Sequence, residues 1–414
     1  MSFAWNAYRL ASPIAGAIAP ALGVIAAGAE RVLWAERMGR CGGPAPADAW
    51  VHAASLGEAV AAEALVRELR ARRPAANLRL TATTRPGRER LQALDPAACL
   101  APLDTPQATE RFFASLRPAR LFLIETELWP QWLMRAARGG VPVAVISARL
   151  STRSVGGYRW LGPTFAGLVG GLAAVLCQSE EDRRRWLDLG ARPERTEVAG
   201  NLKFDALPGP APDRGAARAA LGLDPRRPLL VLASVRPGEV RILADAWRSL
   251  TEALRAEWQV VVVPRHPAAS SRLRSDAIRA GIAIADGGAP DGGAWRWDDR
   301  TGVLGGYYAA CEVAFVGGSL RPYGGHNPLE PAAAGAAVII GPHHGAQAPA
   351  MEVLAGAARI ASGPALVDSL RELLGDPGRR GSAGAAALSA ARAARGAAAR
   401  AVDFLEARNL WPRS

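Results

Sequence analysis

Three acids and one lysine stand where a chain of alternating strands and helices exposes side chains. In HAASLGEA (52–59) a strand ends at Ser55, Gly57 permits a tight turn and Glu58 opens a helix. A carboxylate so placed can take a proton from an attacking hydroxyl, although a helix N-terminus lowers its pKa and weakens the base. An ordinary helix-start glutamate reads the same way. In IETELWPQW (124–132), Glu125 and Glu127 follow an apolar strand directly. If the strand continues they share one side, one to position a basic group or steady developing charge, the other to cap a helix near Pro130. Trp129 and Trp132 read first as packing residues. GNLKFD (200–205) holds Lys203, the only lysine among 50 Lys and Arg residues. A compact ammonium is not interchangeable with a guanidinium fork, so its survival there points to charge stabilisation.

The second half carries a different set: ASVRPGE (233–239), VPRHP (263–267), FVGGS (315–319) and GGHNPLEP (324–331). Glycine-rich turns after strands expose backbone N–H groups that suit phosphate, which singles out Gly317, Gly318 and Ser319. Arg265 and His266 can add cationic hydrogen bonds. Glu330, at a helix start, is placed to accept two ribose hydroxyls. Taken in order, these segments read as a nucleotide-sugar site. No GxGxxG precedes the early helix and no GxxxxGK[ST] occurs, which disfavours a dehydrogenase and excludes a P-loop NTPase. No DxD-like motif stands out, so no metal and no cofactor is implied. All five histidines (His52, His266, His326, His343, His344) read as lying just after strands.

The elements that must position these residues follow from periodicity. AWVHAAS, LRLTATT, CLAPL, RLFLIE, PVAVISARL, AAVLCQS and TEVAG read as strands with helices between them. A Pro/Gly/Ala-rich break spans 205–228, and the pattern restarts with PLLVLAS, WQVVVVPRH, IAIAD, CEVAFVGGS and AAVIIGP. Apolar runs spaced by helices indicate parallel sheets of βαβ units, hence an α/β chain of two Rossmann-like domains facing a cleft. The expected division is an apolar membrane-associating segment 1–40, a first domain 41–207, a second 208–395, and a C-terminal helix 396–414 packing back on the first. Ligands of such sheets bind at the carboxyl ends of strands.

Half of the 414 residues are hydrophobic, which excludes wholesale disorder. The net charge of +12 is almost wholly arginine, a compositional bias rather than a nucleic-acid footprint, and the interleaved aromatics of single-strand binders are absent. Cys41, Cys99, Cys177 and Cys311 are far apart, which argues against a zinc site or a disulfide framework and suits a reducing cytoplasm. Residues 10–29 carry no charge but are mostly Ala and Gly with Pro13 and Pro20, a weak candidate for insertion. Flanked by Trp5, Tyr8, Arg9, Arg31, Trp34, Arg37 and Arg40, the segment reads as lying on a membrane surface. The plain alternative is a buried Ala-rich helix pair.

Taken together, HAASLGE, IETELWP, ISARLS followed by GY, LCQS, GNLKFD, VPRHP and VAFVGGS…GGHNPLEPAAAG…GPHH resemble, in order, the 3-deoxy-D-manno-octulosonic acid (Kdo) transferases of lipopolysaccharide synthesis. The resemblance runs from about residue 49 to 345. It implies a GT-B fold and metal-independent, inverting transfer of Kdo from CMP-Kdo to the lipid A precursor (lipid IVA) at the cytoplasmic face of the inner membrane. By resemblance Glu58 is the general base, and Glu125 and Lys203 stabilise the transition state. CMP is then held by Arg265, His266, the loop Thr301, Gly302 and Val303, and Asn327, Pro328, Leu329 and Glu330. Three positions depart from the family pattern: Arg236 replaces a usual His, Val303 a usual acid, and Ser147 a usual Asn. The second enzyme reading is a nucleotide-sugar epimerase of the same two-domain build.

Overall fold

The computed structural model describes residues 2–25, 29–41, 46–285, 287–290 and 293–412. The chain forms two compact units, Met1–Ala206 with Arg395–Ser414, and Leu207–Ala394.

Unit 1 is built on seven strands: β1 Ala49–Ala53, β2 Leu78–Ala82, β3 Cys99–Leu100, β4 Leu121–Ile124, β5 Val143–Ala148, β6 Ala174–Cys177 and β7 Thr196–Val198. They lie in the order β3-β2-β1-β4-β5-β6-β7, every described pair parallel. β1 to β6 are buried along their whole length, which explains their continuous apolar runs. Helices α1 Phe3–Ile25, α2 Ala29–Arg37 and α3 Leu56–Arg72 come first, followed by α4 Arg85–Gln92, α5 Pro106–Leu116 and α6 Pro130–Arg138. The chain reverses its neighbour order at β1/β4, where the residues after both strands meet.

Unit 2 repeats the plan with β8 Leu229–Val235, β9 Gln259–Pro264, β10 Ile284–Ala285, β11 Trp295–Trp297, β12 Val313–Val316, β13 Ala337–Ile340 and β14 Ala358–Ile360, in the order β10-β11-β9-β8-β12-β13-β14. The segment WRW of β11 and ARI of β14 escape the sequence pattern because an arginine interrupts each short apolar run. β11 nevertheless sits inside the sheet, pairing with both β9 and β10.

The chain returns to unit 1 at Arg395. Asp205, the last acid before the units part, accepts from the N–H groups of Gly396 (2.6 Å), Ala397 (3.2 Å) and Ala398 (2.7 Å). It thereby caps the helix Ala397–Ala407. That helix packs on α3, and Trp411 beyond it is fully buried in the same core.

α1 buries Trp5, Ser12 and Ala19 and leaves Phe3, Leu10, Ile14 and Ile18 exposed. It is pinned by polar groups rather than packing alone: Tyr8 donates to the Asp104 carboxylate, Ser12 to the Asp104 carbonyl (3.1 Å), and Gln131 Nε2 to Ser12 (3.0 Å). No helix among the described residues is long and apolar enough to cross a membrane. One cysteine expectation is corrected: Cys41 and Cys99, 58 residues apart in sequence, form a disulfide that ties the segment after α2 to β3. The spacing hid this because the sheet edge, not the sequence, brings the two together. Cys177 and Cys311 are free and buried.

Candidate active site

In unit 1 the groups after β1 and β4 converge. Ser55 caps α3, and Glu58 sits in its first turn. The Glu58 carboxylate accepts from the Ala54 N–H (2.7 Å) and from the Ser55 hydroxyl (3.1 Å), while the Glu58 N–H donates to that hydroxyl (3.3 Å). This is a variant of the capping box in which the carboxylate reaches the N–H one residue before the cap. Capping alone would depress the acid, as the sequence reading expects. Burial outweighs it, and with the nearby Glu127 and Glu125 charges it pushes Glu58 up to about 7.

Glu125 follows β4 with a left-handed backbone (φ 62°), a conformation that costs a non-glycine residue energy. The strand therefore does not continue, and the expected same-side pair separates. Glu125 turns to Lys203 (Oε1 to Nζ 2.5 Å). Glu127 instead accepts from the Trp129 indole (2.8 Å) and lies 3.9 Å from His52 Nε2. Nor does Glu127 cap α6, since Asp104 accepts from the Gln131 N–H (2.9 Å). Lys203 rides on the short 3₁₀ turn Leu202–Phe204, close to the α3 N-terminus: a Cβ on Gly57 would come within 4.0 Å of its Nζ. An acid near neutrality beside an ammonium–carboxylate pair can accept a proton and steady charge formed next to it.

His52 does not follow its strand. It lies within β1, wholly buried, its Nδ1 2.8 Å from Thr81 Oγ1 and its ring edge-on to Trp132. Burial lowers its pKa despite Glu127. Trp132 is buried with it, so of the two tryptophans it is a packing residue.

In unit 2 a cavity of about 280 Å³ is lined by Ser234, Arg265, Arg300, Thr301, Gly302, Val303 and Glu330 among others. Five of the residues singled out in the sequence thus come together there. Burial raises the Glu330 carboxyl, and Asn327 donates to it (3.2 Å). Asn327 also accepts from the Leu329 N–H (3.1 Å), turning the Asn327–Pro328–Leu329 segment into the helix that carries Glu330. Asp298 holds both ends of the cavity loop, accepting from the Arg300 guanidinium (2.7 Å) and the Tyr307 hydroxyl (2.7 Å).

His266 lies beside this cavity rather than on its wall. Its Nε2 accepts from Arg236 (2.7 Å), whose guanidinium stacks 4.3 Å over the Tyr323 ring. The arginine that departs from the family pattern thus builds a cationic cluster. His326 feels it: burial, then Arg265, Arg236 and His266, drive its pKa down to about 4, and its buried Nε2 has no hydrogen-bond partner. After β13, His343 is exposed and His344 half-buried.

The Gly317–Ser319 turn is corrected most sharply. It is buried, and its N–H groups are already engaged. Gly317 donates to the Ala233 carbonyl (2.8 Å), whereas Gly318 and Ser319 donate to Glu239 (2.8 Å each). Glu239 also accepts from Leu320 and Arg236 N–H (2.8 Å each) and is 0% exposed. Four amides around one carboxylate make a keystone, and no phosphate can take those donors. Glycine is required at 318 (φ 71°), where a Cβ would lie 2.9 Å from His326. Glu239 is the residue sequence reasoning missed; its only signal was a glutamate three residues after Arg236, which reads as a routine helix start.

Among the described residues no group of three or more His, Cys, Asp or Glu could hold a metal ion. The family described as 3-deoxy-D-manno-octulosonic-acid transferase (kdotransferase) matches residues 33–206. The 3-deoxy-D-manno-octulosonic acid transferase of Bordetella pertussis is 38% identical over 395 residues, 89% of this chain and 90% of its own. That of Haemophilus influenzae is 31% identical over 320 residues, 75% and 74% of the two chains. Among solved structures, UDP-GlcNAc 2-epimerase from Neisseria meningitidis bound to UDP-GlcNAc superposes with a TM-score of 0.60 over 86% of this chain and 99% of its own. At 14% identity that likeness is one of fold, the α/β GT-B class.

Proposed function

Because this chain belongs to the 3-deoxy-D-manno-octulosonic acid transferase family, and is therefore a glycosyltransferase, we propose that it moves Kdo from CMP-Kdo to the lipid A precursor, with inversion and without a metal. The observation that carries the reading is Glu58, raised to about 7 beside the Lys203–Glu125 pair. Its carboxylate takes the acceptor hydroxyl proton as that oxygen bonds to the anomeric carbon. The bond from that carbon to the CMP phosphate breaks, and the electron pair leaves with the phosphate. CMP is a weakly basic leaving group, so cationic hydrogen bonds serve in place of a strong general acid. Arg265 on the cavity wall, with His266 and Arg236 beside it, suits that charge. Glu330 and the Thr301–Val303 loop suit the nucleoside.

The lipid acceptor implies work at a membrane surface, on the cytoplasmic face of the inner membrane. α1 supports this, since Leu10, Ile14 and Ile18 recur at helical spacing and are 71%, 59% and 58% exposed, with Phe3 at 89%. Such a stripe lies in an interface rather than across it.

The test is mass spectrometry of the lipid after incubation with CMP-Kdo and the tetra-acylated precursor, with and without EDTA. A mass gain of one or more Kdo units, unchanged by the chelator, is expected. An isomerised sugar nucleotide with unmodified lipid would replace this reading by the epimerase one.

A further inference from the structure

Lys203 reaches Glu125 from a single 3₁₀ turn, a weak platform for a long side chain that is 38% exposed. An ammonium on four rotatable carbons holds a geometry only if its backbone is fixed from outside. Three bonds fix it. Asn201 Oδ1 accepts from the Lys203 N–H (2.9 Å), Ser147 Oγ accepts from the Leu202 N–H (3.2 Å), and Asn201 Nδ2 donates to Gln178 Oε1 (3.1 Å). The Gln178 amide is used at both ends, since its Nε2 donates to the Ser147 carbonyl (3.0 Å) and hydroxyl (3.2 Å).

Ser147 is itself special. It has φ 55° and is skipped in the β5–β6 register, a bulge at the strand end. Glu125 hangs from the same place, its N–H donating to the Ile146 carbonyl (3.1 Å). Both partners of the ion pair are thus referred to the end of β5, and on the lysine side Gln178 is a link beside the direct Leu202–Ser147 bond.

We propose that Gln178 is a positioning residue for the Lys203–Glu125 pair: its amide sets the turn that delivers the ammonium, without itself touching substrate. The inference rests on the transferase reading for its kinetic consequence. Its structural half does not depend on that reading, because one lysine in the chain means one lysine signal.

The experiment labels the protein with ¹³C at lysine only and records the Cε resonance in wild type, Gln178→Leu and Gln178→Glu. The Glu variant keeps the acceptor for Asn201 but loses the donor to Ser147. It carries the measurement if the Leu variant does not fold. A shifted or broadened Lys203 signal is expected in both. Transfer assays should show kcat down about 10- to 100-fold with KM for CMP-Kdo unchanged, and no further loss when Gln178→Leu is added to Lys203→Ala. An unaltered lysine signal, or losses that multiply in the double variant, overturns the proposal. A wild-type protein that turns over no CMP-Kdo overturns the functional reading instead and leaves the resonance test standing.

Discussion

The two units place opposite charge at the same topological point. In unit 1, the residues after the central strands β1 and β4 are acids; in unit 2, Arg236, Arg265 and His266 follow β8 and β9, and the acids beside them, Glu239 and Glu330, are engaged by hydrogen bonds within the unit. Burial acts on both sites, but the neighbours differ in sign. Desolvation with Glu127 and Glu125 lifts Glu58 to about 7, whereas desolvation with Arg265, Arg236 and His266 lowers His326 to about 4. One backbone plan therefore yields a proton acceptor working near neutrality and a field suited to anions. Strained residues occur in both sheets, though on strands that do not correspond: Ser147 near the end of β5 and Ser234 near the end of β8 both have positive φ and are skipped in a strand register.

The contrast can be broken most severely at Glu58. Glu58→Gln is expected to slow transfer by about 10²- to 10⁴-fold with CMP-Kdo affinity in unit 2 intact, read by single-turnover kinetics and calorimetry; wild-type turnover removes the base assignment. In unit 2 the matching change is structural. Glu239→Ala strands three buried N–H groups and a half-buried fourth, and should cost about 3 kcal/mol or more in chemical denaturation, where a loss under about 0.5 kcal/mol refutes the keystone role. The smallest effect sharpens the electrostatics. A base must be deprotonated to act, so kcat/KM should rise with pH through about 7. Glu127→Gln removes a like charge and should move that rise to lower pH by a few tenths of a unit, seen in full pH–rate profiles.

Much of the fold was legible because buried parallel strands read as apolar runs bounded by Gly and Pro. The short strands WRW and ARI were not, since an arginine at the centre of each breaks the apolar run. Candidate site residues stood out where their type was unusual for its place, as with Lys203 in an arginine-rich chain or Glu58 after a strand. The rest depended on partners far away in sequence. The direction of Glu125 is set by a positive φ that no propensity announces, and the amides of Gly318 and Ser319 are claimed by Glu239, some 80 residues earlier. His52 misled because a buried polar strand residue looks, in one dimension, like the residue after the strand. Burial also reversed the expected sign at Glu58, and burial is a tertiary property.

The cap formed by Asp205 has a consequence for how the molecule could be cut. Unit 2 is an insert in unit 1, and the carboxylate that precedes its departure grips the amides at its return. The two severed ends left by removing the insert are already neighbours, so a few glycines would rejoin them at little loop-closure cost. The first unit thus keeps its own terminal helix and the buried Trp411 whatever becomes of the second.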